Sequence, residues 1–597
     1  MKDDLLRAAI ETELELILTS RLFSRSPKLS AFLRFVVELT LEGRAEDIKE
    51  YAIGVQVFER GELFDPRVDP IVRVQAGKLR ERLDRYYYQN GARANLRIAL
   101  RRGSYVPVFQ QLQRVDRPPA GIVSLPDSQP AREPSVAVLP FLNLTGDPEF
   151  EYFSDGLSEE LISVIGRRAG LPVVARTSSF SFKGKSTTLV DIGRALRTDF
   201  ILEGSVRQTR DALRITAFLN EVHSGHQIWT RQYDCPMEDV FAIQDEIAAQ
   251  IAASLGQRVR RQAPPAPAPS LDSRLLLLRA WYHWHKATPE SLGKAIAAFE
   301  QAIEADPANA RAHAGLAFAW TVIAVFGAVP GVDARQRASV AAEQALQHDP
   351  GLAEVWGAVG CVESVLAWNW SAAETAFLRA LELDPHHASS RHGYAIGLLV
   401  GLGRSTEVLD HMKVVLDLDP LSLMASCDMG SALSYAGRYE EARQQYLATL
   451  ELEPNHARTW VELGWMMALQ GRAEEGLSAS SRGLDLDPLM VGLHGFVAAK
   501  AGRRQEALDA LEASRRLAPD GAFRWNFQAF ALDALGHRQQ ALDELERSYQ
   551  QGNAHLRYIN VDPCSDALRG EPRFQELIRK MGFPGPGGPN CAKKRLP

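Results

Sequence analysis

The sequence contains little cysteine. Its five cysteines are odd in number, far apart and never in CxxC spacing: Cys235, Cys361, Cys427, Cys564 and Cys591. This pattern excludes a disulfide framework and a cysteine-based zinc site. It is typical of reduced thiols in the cytoplasm.

Long hydrophobic runs are also missing. The most apolar stretch, residues 317–332, is 16 residues long and contains Pro330, so it is too short to span a bilayer comfortably. Near the amino terminus, Asp3 and Asp4 stand where a secretion signal needs an apolar run. We therefore expect a cytoplasmic protein without a membrane anchor.

The chain has no strong excess of one charge, because its net charge is −6 over 597 residues. The distribution is uneven, however. Residues 1–110 hold 19 basic against 16 acidic residues, and residues 67–102 hold ten against three. A basic patch therefore lies inside an otherwise acidic protein, as in proteins whose charged face meets a polyanion.

Two proline-rich stretches, residues 117–135 and 262–271, have the composition of extended linkers. They predict a head at 1–112, a linker at 113–134, a middle domain at 135–261, a linker at 262–270 and a repeat region at 271–583. The Gly/Pro/Lys-rich tail at 584–597 is expected to be disordered. The predicted fold class is multidomain, with an α+β winged-helix-like head, an α/β middle domain and an all-α superhelix.

The strongest pattern is an internal repeat in the third region. Prolines recur there with gaps of 43, 35, 35, 34, 34 and 31 residues: Pro307, Pro350, Pro385, Pro420, Pro454, Pro488 and Pro519. Twelve residues before each proline stands a small or compact residue: Ala295, Ala338, Ala373, Val408, Ala442, Gly476 and Ala507. Seventeen residues before the last four prolines stands a glycine: Gly403, Gly437, Gly471 and Gly502.

This period is that of the tetratricopeptide repeat (TPR), in which two helices joined by a short turn are followed by a proline break. We predict about eight helical hairpins, with an insertion near residues 326–332 and partner proteins bound on the superhelix. Nine of the ten tryptophans lie in this region, and we interpret them as packing between neighbouring helices. The segment VDPCSDALRGEPRFQELIRKMGFP (561–584) resembles the cap of TPR arrays in bacterial regulators often labelled adenylate cyclase-like, which implies a terminal helix covering the last repeat.

In the middle domain, strand-like and helix-like segments alternate, which predicts a compact α/β fold. Predicted strands begin at Ser135, Pro172, Phe200, Leu213 and Gln227, and predicted helices at Phe153, Leu189 and Val240. The phrases VAVLPFLNLTGDPEFEYFSDGLSEELI, FILEGSVR and GHQIWTRQYD resemble the TolB amino-terminal-like domain. That resemblance implies protein contacts and no catalytic residues, so the domain would act as a sensor or as the contact of a homodimer.

An acidic run leads into the first helix of this domain: Asp147, Glu149, Glu151, Asp155, Glu159 and Glu160. Such a run could bind a metal, but acids near a helix start also favour the helix dipole. We interpret these side chains as solvated. Residues 183–186 resemble the end of a phosphate-binding loop, yet the GxxxxGK[ST] spacing fails. We therefore predict no metal site and no cofactor.

The head is predicted to hold helices at 5–18, 28–41 and 47–58, a long helix after Phe64, and two short strands around residues 101–103. This order is typical of a winged helix-turn-helix. On the long helix, apolar residues recur every three or four positions and share an inward face: Val72, Ala76, Leu79, Leu83 and Tyr86.

Basic side chains flank that face. Long cations on both sides of a helix suit the phosphates of a major groove, and a side-chain amide near the helix start could read a base edge. The predicted DNA-binding residues are Arg73, Gln75, Lys78, Arg80, Arg82 and Arg85 on the helix, with Arg101 and Arg102 on the hairpin. The segments VRVQAGKLRERL and RIALRRGSYVPVF resemble the recognition helix and wing of the OmpR-type winged-helix family.

Three functions are compatible with this organisation. The first is a regulator that binds double-stranded DNA through the head and protein partners through the repeats. The second is a scaffold without DNA contact, because a basic flank is also common on a solvated helix and Glu81 and Asp84 would repel phosphate. The third, nucleotide cyclase activity, needs a dedicated domain with two metal-binding aspartates, which the sequence does not show. We predict no enzymatic activity and no catalytic residues.

Overall fold

The computed structural model describes residues 2–20, 23, 26–58, 60–61, 64–65, 71–90, 96–100, 104–111, 134–147, 150–208, 212–255, 269–286, 288–517 and 527–584. The chain forms two compact units, residues 1–129 and 130–597. The second unit holds both the middle domain and the repeat region. Most of the predicted linkers and tail lies outside the described residues. No described helix is both long enough and apolar enough to cross a membrane.

The first unit is helical and ends in a hairpin. Its elements are α1 (Lys2–Thr19), α2 (Pro27–Leu41), α3 (Glu50–Gln56), α4 (Ile71–Asn90), β1 (Leu96–Leu100) and β2 (Pro107–Gln111). The two strands are antiparallel, with Ile98 opposite Phe109. Val72, Ala76 and Leu79 are fully buried, because their spacing places them on one face of α4. The predicted inward face is confirmed at these positions.

The middle domain is a small mixed sheet with helices on both faces. Its elements are β3 (Val136–Val138), β4 (Leu142–Asn143), α5 (Glu151–Ala169), α6 (Arg176–Phe180), α7 (Leu189–Leu196), β5 (Phe200–Gln208), β6 (Leu213–Glu221), β7 (Gln227–Cys235) and α8 (Val240–Ser254). The strand order is β3-β5-β6-β7, and β4 also pairs with β5. β3 and β4 run parallel to β5, whereas β5, β6 and β7 are antiparallel. Helices α5 and α8 cover one face of the sheet, and α7 packs against the other.

One predicted strand of this domain is wrong. The segment after Pro172 makes only a single parallel bridge, between Val173 and Val136, and then turns into α6. The reason is a contact with the repeat region, where Asp419 accepts a hydrogen bond from the backbone N–H of Ser178 at 3.0 Å. That contact stabilises the first turn of α6 in place of further strand pairing.

The described residues of the repeat region form eight helical hairpins, as predicted. Their paired helices are α9 (Leu271–Trp284) and α10 (Pro289–Ala305); α11 (Ala310–Val325) and α12 (Gly331–His348); α13 (Ala353–Cys361) and α14 (Trp370–Leu383); α15 (Ala388–His392) and α16 (Ser405–Leu418); α17 (Leu423–Tyr435) and α18 (Tyr439–Leu452); α19 (Ala457–Leu469) and α20 (Ala473–Leu486); α21 (Val491–Lys500) and α22 (Arg504–Leu517); α23 (Phe527–Ala534) and α24 (Arg538–Gln550). Helices α13 and α15 continue as π-helical turns at Val362–Ala367 and Gly393–Leu399.

The repeated residues do what their chemistry predicts. The turn glycines adopt left-handed backbone angles, with φ of 70° at Gly403 and 79° at Gly471, which side chains with a Cβ rarely adopt. In the third hairpin, Trp368 holds this conformation at φ 55°. A Cβ on Gly476 would lie 2.4 Å from the carbonyl oxygen of Gly464, so the small residue permits close helix approach.

After α24 the chain forms the C-terminal segment, residues 551–584. It contains short 3-10 helices at Ala554–Tyr558 and Pro563–Ser565 and the helix α25 (Pro572–Lys580). Helix α25 packs on α24, where Arg573 Nη2 pairs with Asp543 at 2.7 Å and Glu546 at 2.8 Å. The predicted terminal helix over the last repeat is therefore present.

Candidate functional site

The basic helix of the head places three of its predicted residues in internal contacts. Arg73 Nε pairs with Glu50 Oε1 at 3.1 Å, although its side chain is 54% exposed. Arg80 Nη2 donates to the carbonyl oxygen of Ser104 at 3.1 Å, next to β2. Arg82 donates to the hydroxyl of Ser26, before α2. The three guanidinium groups therefore already have partners within the head.

These contacts place Arg80 and Arg82 on opposite flanks of α4. Tyr105 lies on the flank of Arg80, and burial raises the pKa of its hydroxyl, with a further contribution from a nearby glutamate. Gln75 is half-buried. The side chains of the remaining predicted DNA contacts lie outside the described residues: Lys78, Arg85, Arg101 and Arg102. Recognition of DNA by this surface stays a prediction.

The acidic run of the middle domain is predicted to be solvated, which is confirmed at the exposed Asp147 but wrong for the buried acids of α5. Asp155 is 4% exposed and Glu160 is 6% exposed. Burial raises the pKa of Asp155, and Lys183 opposes this effect because its Nζ lies 2.6 Å from the Asp155 carboxylate. The same Nζ lies 2.6 Å from Glu151. Lys183, from the segment that resembles a phosphate-binding loop, thus pairs with two acids of α5.

The next acids on α5 bind the repeat region. Glu159 accepts from His285 Nε2 at 2.9 Å and pairs with Arg176 at 3.1 Å. Burial alone raises the pKa of Glu159, but His285 and Arg176 outweigh it, so the pKa is lowered. The sequence predicts solvated side chains here because it does not show which helices lie beside them. Among the described residues, no group of three or more His, Cys, Asp or Glu is arranged to hold a metal ion.

A buried ion-pair triad joins the middle domain to the first hairpins. Arg311 Nη1 lies 2.6 Å and 2.8 Å from the two carboxylate oxygens of Glu160, and its Nε lies 2.8 Å from Glu354. Burial favours the neutral form of Glu354, but Arg311 outweighs this and lowers its pKa to about 2. The arginine therefore links a helix of the middle domain to the second and third hairpins.

A second contact uses one of the repeat turns. In several turns the carboxylate of the acid before the proline accepts a hydrogen bond from the backbone N–H two residues later, as Asp487 does from Leu489 at 3.0 Å. At Asp419 the direct bond is exchanged for two bonds through Ser178 of the middle domain. The N–H of Leu421 donates to the hydroxyl of Ser178 at 2.8 Å, and that hydroxyl donates to Asp419 at 2.6 Å. The turn is thus completed by the middle domain.

The C-terminal segment lies against the inner surface of the array, which we define as the surface formed by the first helices of the hairpins. A Cβ on Gly401 would lie 2.3 Å from the carbonyl oxygen of Arg557. Tyr558 Oη donates to the carbonyl oxygen of Ile396 at 3.0 Å, and His555 Nε2 lies 3.1 Å from that of Val325. The segment therefore fills part of the inner surface of the array.

The predicted insertion near residues 326–332 belongs to the same contact. The backbone N–H of Val332 donates to the carbonyl oxygen of Gln551 at 3.3 Å. A Cβ on Gly331 would lie only 1.8 Å from the carbonyl oxygen of Gly552. The end of the eighth hairpin thus meets the second hairpin through glycine backbone.

Two tryptophans contact the C-terminal segment. They were predicted to pack between neighbouring helices, and the structure adds this second contact. Trp370 Nε1 donates to the carbonyl oxygen of Met581 at 3.0 Å, and its ring stacks on Phe583 at 4.7 Å. Trp465 Nε1 donates to Cys564 Sγ at 3.1 Å. Periodicity could identify these positions as helix faces, but it could not identify a partner about a hundred or more residues away.

Between the segment and the inner surface lies a cavity of about 260 Å³. One wall is an ion-pair network in which Asp428 accepts from His392 Nε2 at 2.9 Å and from Arg458 at 2.6 Å. Burial disfavours the ionised Asp428, but Arg458 and His392 outweigh it and hold its pKa well below the ordinary value. Arg458 also lies 2.6 Å from Glu462. None of these residues stands out in the sequence, because they meet only after superhelix formation.

Comparison with known proteins supports the repeat assignment. Residues 427–489 match the family model of the tetratricopeptide repeat. "Putative adenylate cyclase 3" of Rhizobium meliloti (strain 1021) is 36% identical over 206 residues. That match covers 34% of this chain and 35% of the relative, so the chain spans about a third of the relative's length.

Solved structures that resemble the chain include PilW, a widely conserved type IV pilus biogenesis factor. It is 20% identical with a TM-score of 0.28, covering 31% of this chain and 87% of that one. YrrB, a TPR protein with an unusual peptide-binding site, is 23% identical with a TM-score of 0.24, covering 32% and 92%. The APC/C hetero-tetramer Cut9–Hcn1 is 14% identical with a TM-score of 0.36, covering 57% and 59%. The family match and the eight hairpins show a TPR-like superhelix, an architecture that serves as a scaffold for protein contacts.

Proposed function

We propose that this chain is a non-enzymatic cytoplasmic regulator whose repeat array binds a partner protein and whose basic head binds double-stranded DNA. One observation carries the protein-binding part. The array holds the middle domain of its own chain on the edge formed by the repeat turns, where Leu418 accepts a hydrogen bond from the N–H of Ala175 at 2.7 Å. That contact is an internal example of how the edge can hold a folded protein.

The same edge continues past the middle domain with its apolar side chains uncovered. Leu418 is 6% exposed, whereas Leu452 and Leu486, its equivalents in the next two repeats, are 49% and 40% exposed. Leu421 packs against the middle domain, while its equivalent Leu489 is exposed. An uncovered apolar column beside polar turns has the composition of a protein-binding surface. We place the partner there, since the C-terminal segment fills part of the inner surface.

Site-specific photo-crosslinking in the producing cell tests this site. A benzophenone amino acid at position 452 or 486 is expected to capture one discrete protein, and Leu452→Glu with Leu486→Glu should abolish its co-purification. A crosslinker at Val340, which is exposed on α12, is the control. Equal capture from position 340, or no discrete product from 452 and 486, would contradict the proposed site.

The DNA-binding part rests on the basic flanks of α4 and on the hairpin that follows it. Full-length protein is expected to shift duplex DNA with an affinity that falls steeply as salt rises. Arg80→Ala with Arg82→Ala should weaken binding and reduce the salt slope by about one unit for each lost phosphate contact. Arg34→Ala on α2 serves as control, because Arg34 pairs with Glu15 at 2.9 Å on another helix. Unchanged binding by the double variant would sink the proposal for α4.

Nucleotide cyclase activity is the alternative, and the name of the Rhizobium relative favours it. We retain the non-enzymatic proposal because a TPR array is a scaffold and supplies contacts instead of chemistry. Incubation of the full chain with Mn²⁺ and ATP or GTP is expected to give no cyclic product. Formation of cyclic nucleotide above a mock purification would replace the regulator proposal with an enzyme.

A further inference from the structure

We propose that the cavity between the inner surface and the C-terminal segment binds a small organic anion. The anion would carry one carboxylate or phosphate group on a planar, apolar body. This site is distinct from the protein edge and the DNA-binding helix proposed above. It can therefore exist whether or not either of those proposals holds.

The walls of the cavity suit an apolar body. Aromatic rings line one part, and aliphatic side chains line another: Tyr435, Trp465 and Phe527, and Val365, Ile396 and Val400. A mainly apolar cavity with a few convergent polar groups is the usual form of a small-molecule site. Its volume of about 260 Å³ is many times the roughly 10–15 Å³ that a single water needs, so a substituted aromatic ring fits.

The carboxylates of the polar wall already have partners. Asp428 is bonded to His392 and Arg458. Glu462 is bonded to Arg458 at 2.6 Å and accepts from Tyr446 Oη at 3.2 Å. The third lining carboxylate, Asp562, accepts from the backbone N–H of Cys564 at 2.9 Å. Each of these carboxylates thus already has a hydrogen-bond partner.

Arg557 differs from Arg458, because its guanidinium has no carboxylate partner within the described residues. Arg557 is 6% exposed and lines the cavity. Its Nη1 donates to the carbonyl oxygen of Ala554 at 2.5 Å, and its Nη2 to Tyr558 Oη at 2.8 Å. Its Nε is buried without a hydrogen-bond partner. Burying a charge without a counter-ion is unfavourable, and an anion in the cavity would supply one.

The backbone around the cavity is also unusual. Two successive first helices change from α to π geometry where they line it, at Val362–Ala367 and Gly393–Leu399. Such π-helical turns are rare and occur frequently at functional sites. Gly393 and Gly397 lie on the cavity wall, where a Cβ would lie 3.1 Å from Cys361 Sγ and 3.3 Å from Ser364 Oγ, so glycine permits the close packing of these turns. Backbone geometry and the buried arginine without a paired carboxylate thus point to the same place independently.

Calorimetric titration of the dialysed full-length protein with three matched probes tests the site. Benzoate and phenyl phosphate carry the two candidate anionic groups, and benzamidine is a cation of the same shape. We expect at least one anion to bind about tenfold or more tightly than benzamidine, a difference of about 1.4 kcal/mol. The tighter anion identifies the natural head group as carboxylate or phosphate.

Variants then locate the binding. Arg557→Gln should weaken the preferred anion about tenfold or more, Arg557→Lys should restore part of the affinity, and Arg516→Gln on exposed α22 should change nothing. Equal binding of benzamidine, no binding of either anion, or unchanged affinity in Arg557→Gln would each overturn the proposal. If Arg557→Gln fails to fold, the comparison of the three probes on the wild-type chain still decides.

Discussion

The repeat array contacts two other parts of its own chain, the middle domain and the C-terminal segment, and the two contacts differ in chemistry. The middle domain is held by charges and exchanged hydrogen bonds, centred on Arg311 and Asp419. The C-terminal segment is held by close backbone approach at Gly331 and Gly401 and by tryptophan rings. A polar contact positions a folded domain, because its bonds have direction. A close-packed contact makes the segment part of the core of the array.

The largest effect is expected from breaking the polar contact at Arg311. Arg311→Ala leaves Glu160 and Glu354 buried without their cation, and such losses cost about 3–5 kcal/mol. Urea unfolding of the full chain measures the change. Arg516→Ala is the control, because Arg516 and Glu512 form an exposed pair whose loss should cost about 0–1 kcal/mol. Equal stability of both variants would show that the triad does not hold the middle domain.

The buried carboxyl group of Asp562 gives a pH-dependent test of the contact made by the C-terminal segment. Burial raises the pKa of Asp562 from 3.8 to about 6. The folded state therefore binds this proton more tightly than the unfolded state, and stability contributed by the group falls as pH rises from about 4 through 6. Asp562→Asn keeps an acceptor for the N–H of Cys564. It should be more stable than wild type by up to about 3 kcal/mol at pH 8 and equal to it near pH 4.

Thermal unfolding of both proteins across that pH range checks this prediction. A stability difference that is constant with pH, or one that grows toward acid, would contradict the assigned pKa shift.

A methyl group tests the close-packed contact. Gly401→Ala places a Cβ 2.3 Å from the Arg557 carbonyl oxygen, and overpacking of this kind costs about 1–3 kcal/mol. Gly570→Ala is the matched control, because nothing lies within 4 Å of its Cβ. We expect a lower melting temperature for the first variant alone. If both variants melt like wild type, the segment does not lie against Gly401.

The smallest effect is expected at the exchanged turn. Asp419→Ala removes the acceptor for Ser178 at the start of α6, and loss of such a cap costs about 1–2 kcal/mol. Asp487→Ala removes the acid of an equivalent turn that has no middle domain beside it. Amide exchange of α6 should accelerate in the first variant and stay unchanged in the second. Acceleration in both would mean that the effect does not pass through the Ser178 contact.

Local chemistry made much of the fold predictable from sequence. Glycines such as Gly437 recur in most repeats because a left-handed turn favours glycine, and compact residues such as Ala442 recur because the paired helices cross closely. The eight hairpins therefore follow from spacing. The inward face of α4 follows from Val72 and Ala76 for the same reason. The predicted strand after Pro172 failed because a distant residue, Asp419, decides the local structure.

The contacts of the candidate sites were harder to predict from the sequence. Asp419 and Asp487 both precede a proline, yet only one of them meets the middle domain. Glu160 looks like a solvated helix residue until Arg311 is placed beside it. Arg557 lies far in sequence from the helices that enclose it. Contacts of this kind depend on how the superhelix curves, and the repeated positions in the sequence do not determine that curvature.

The central claim is that the chain's own C-terminal segment occupies the inner surface of the array. Hydrogen–deuterium exchange of the intact protein at neutral pH tests it most directly. Backbone amides of residues 556–568 form hydrogen bonds within the docked segment, such as Ile559 to Leu556 at 3.0 Å. We predict that they exchange as slowly as those of α19 on the inner surface. Exchange at the rate of an unstructured peptide would contradict the account.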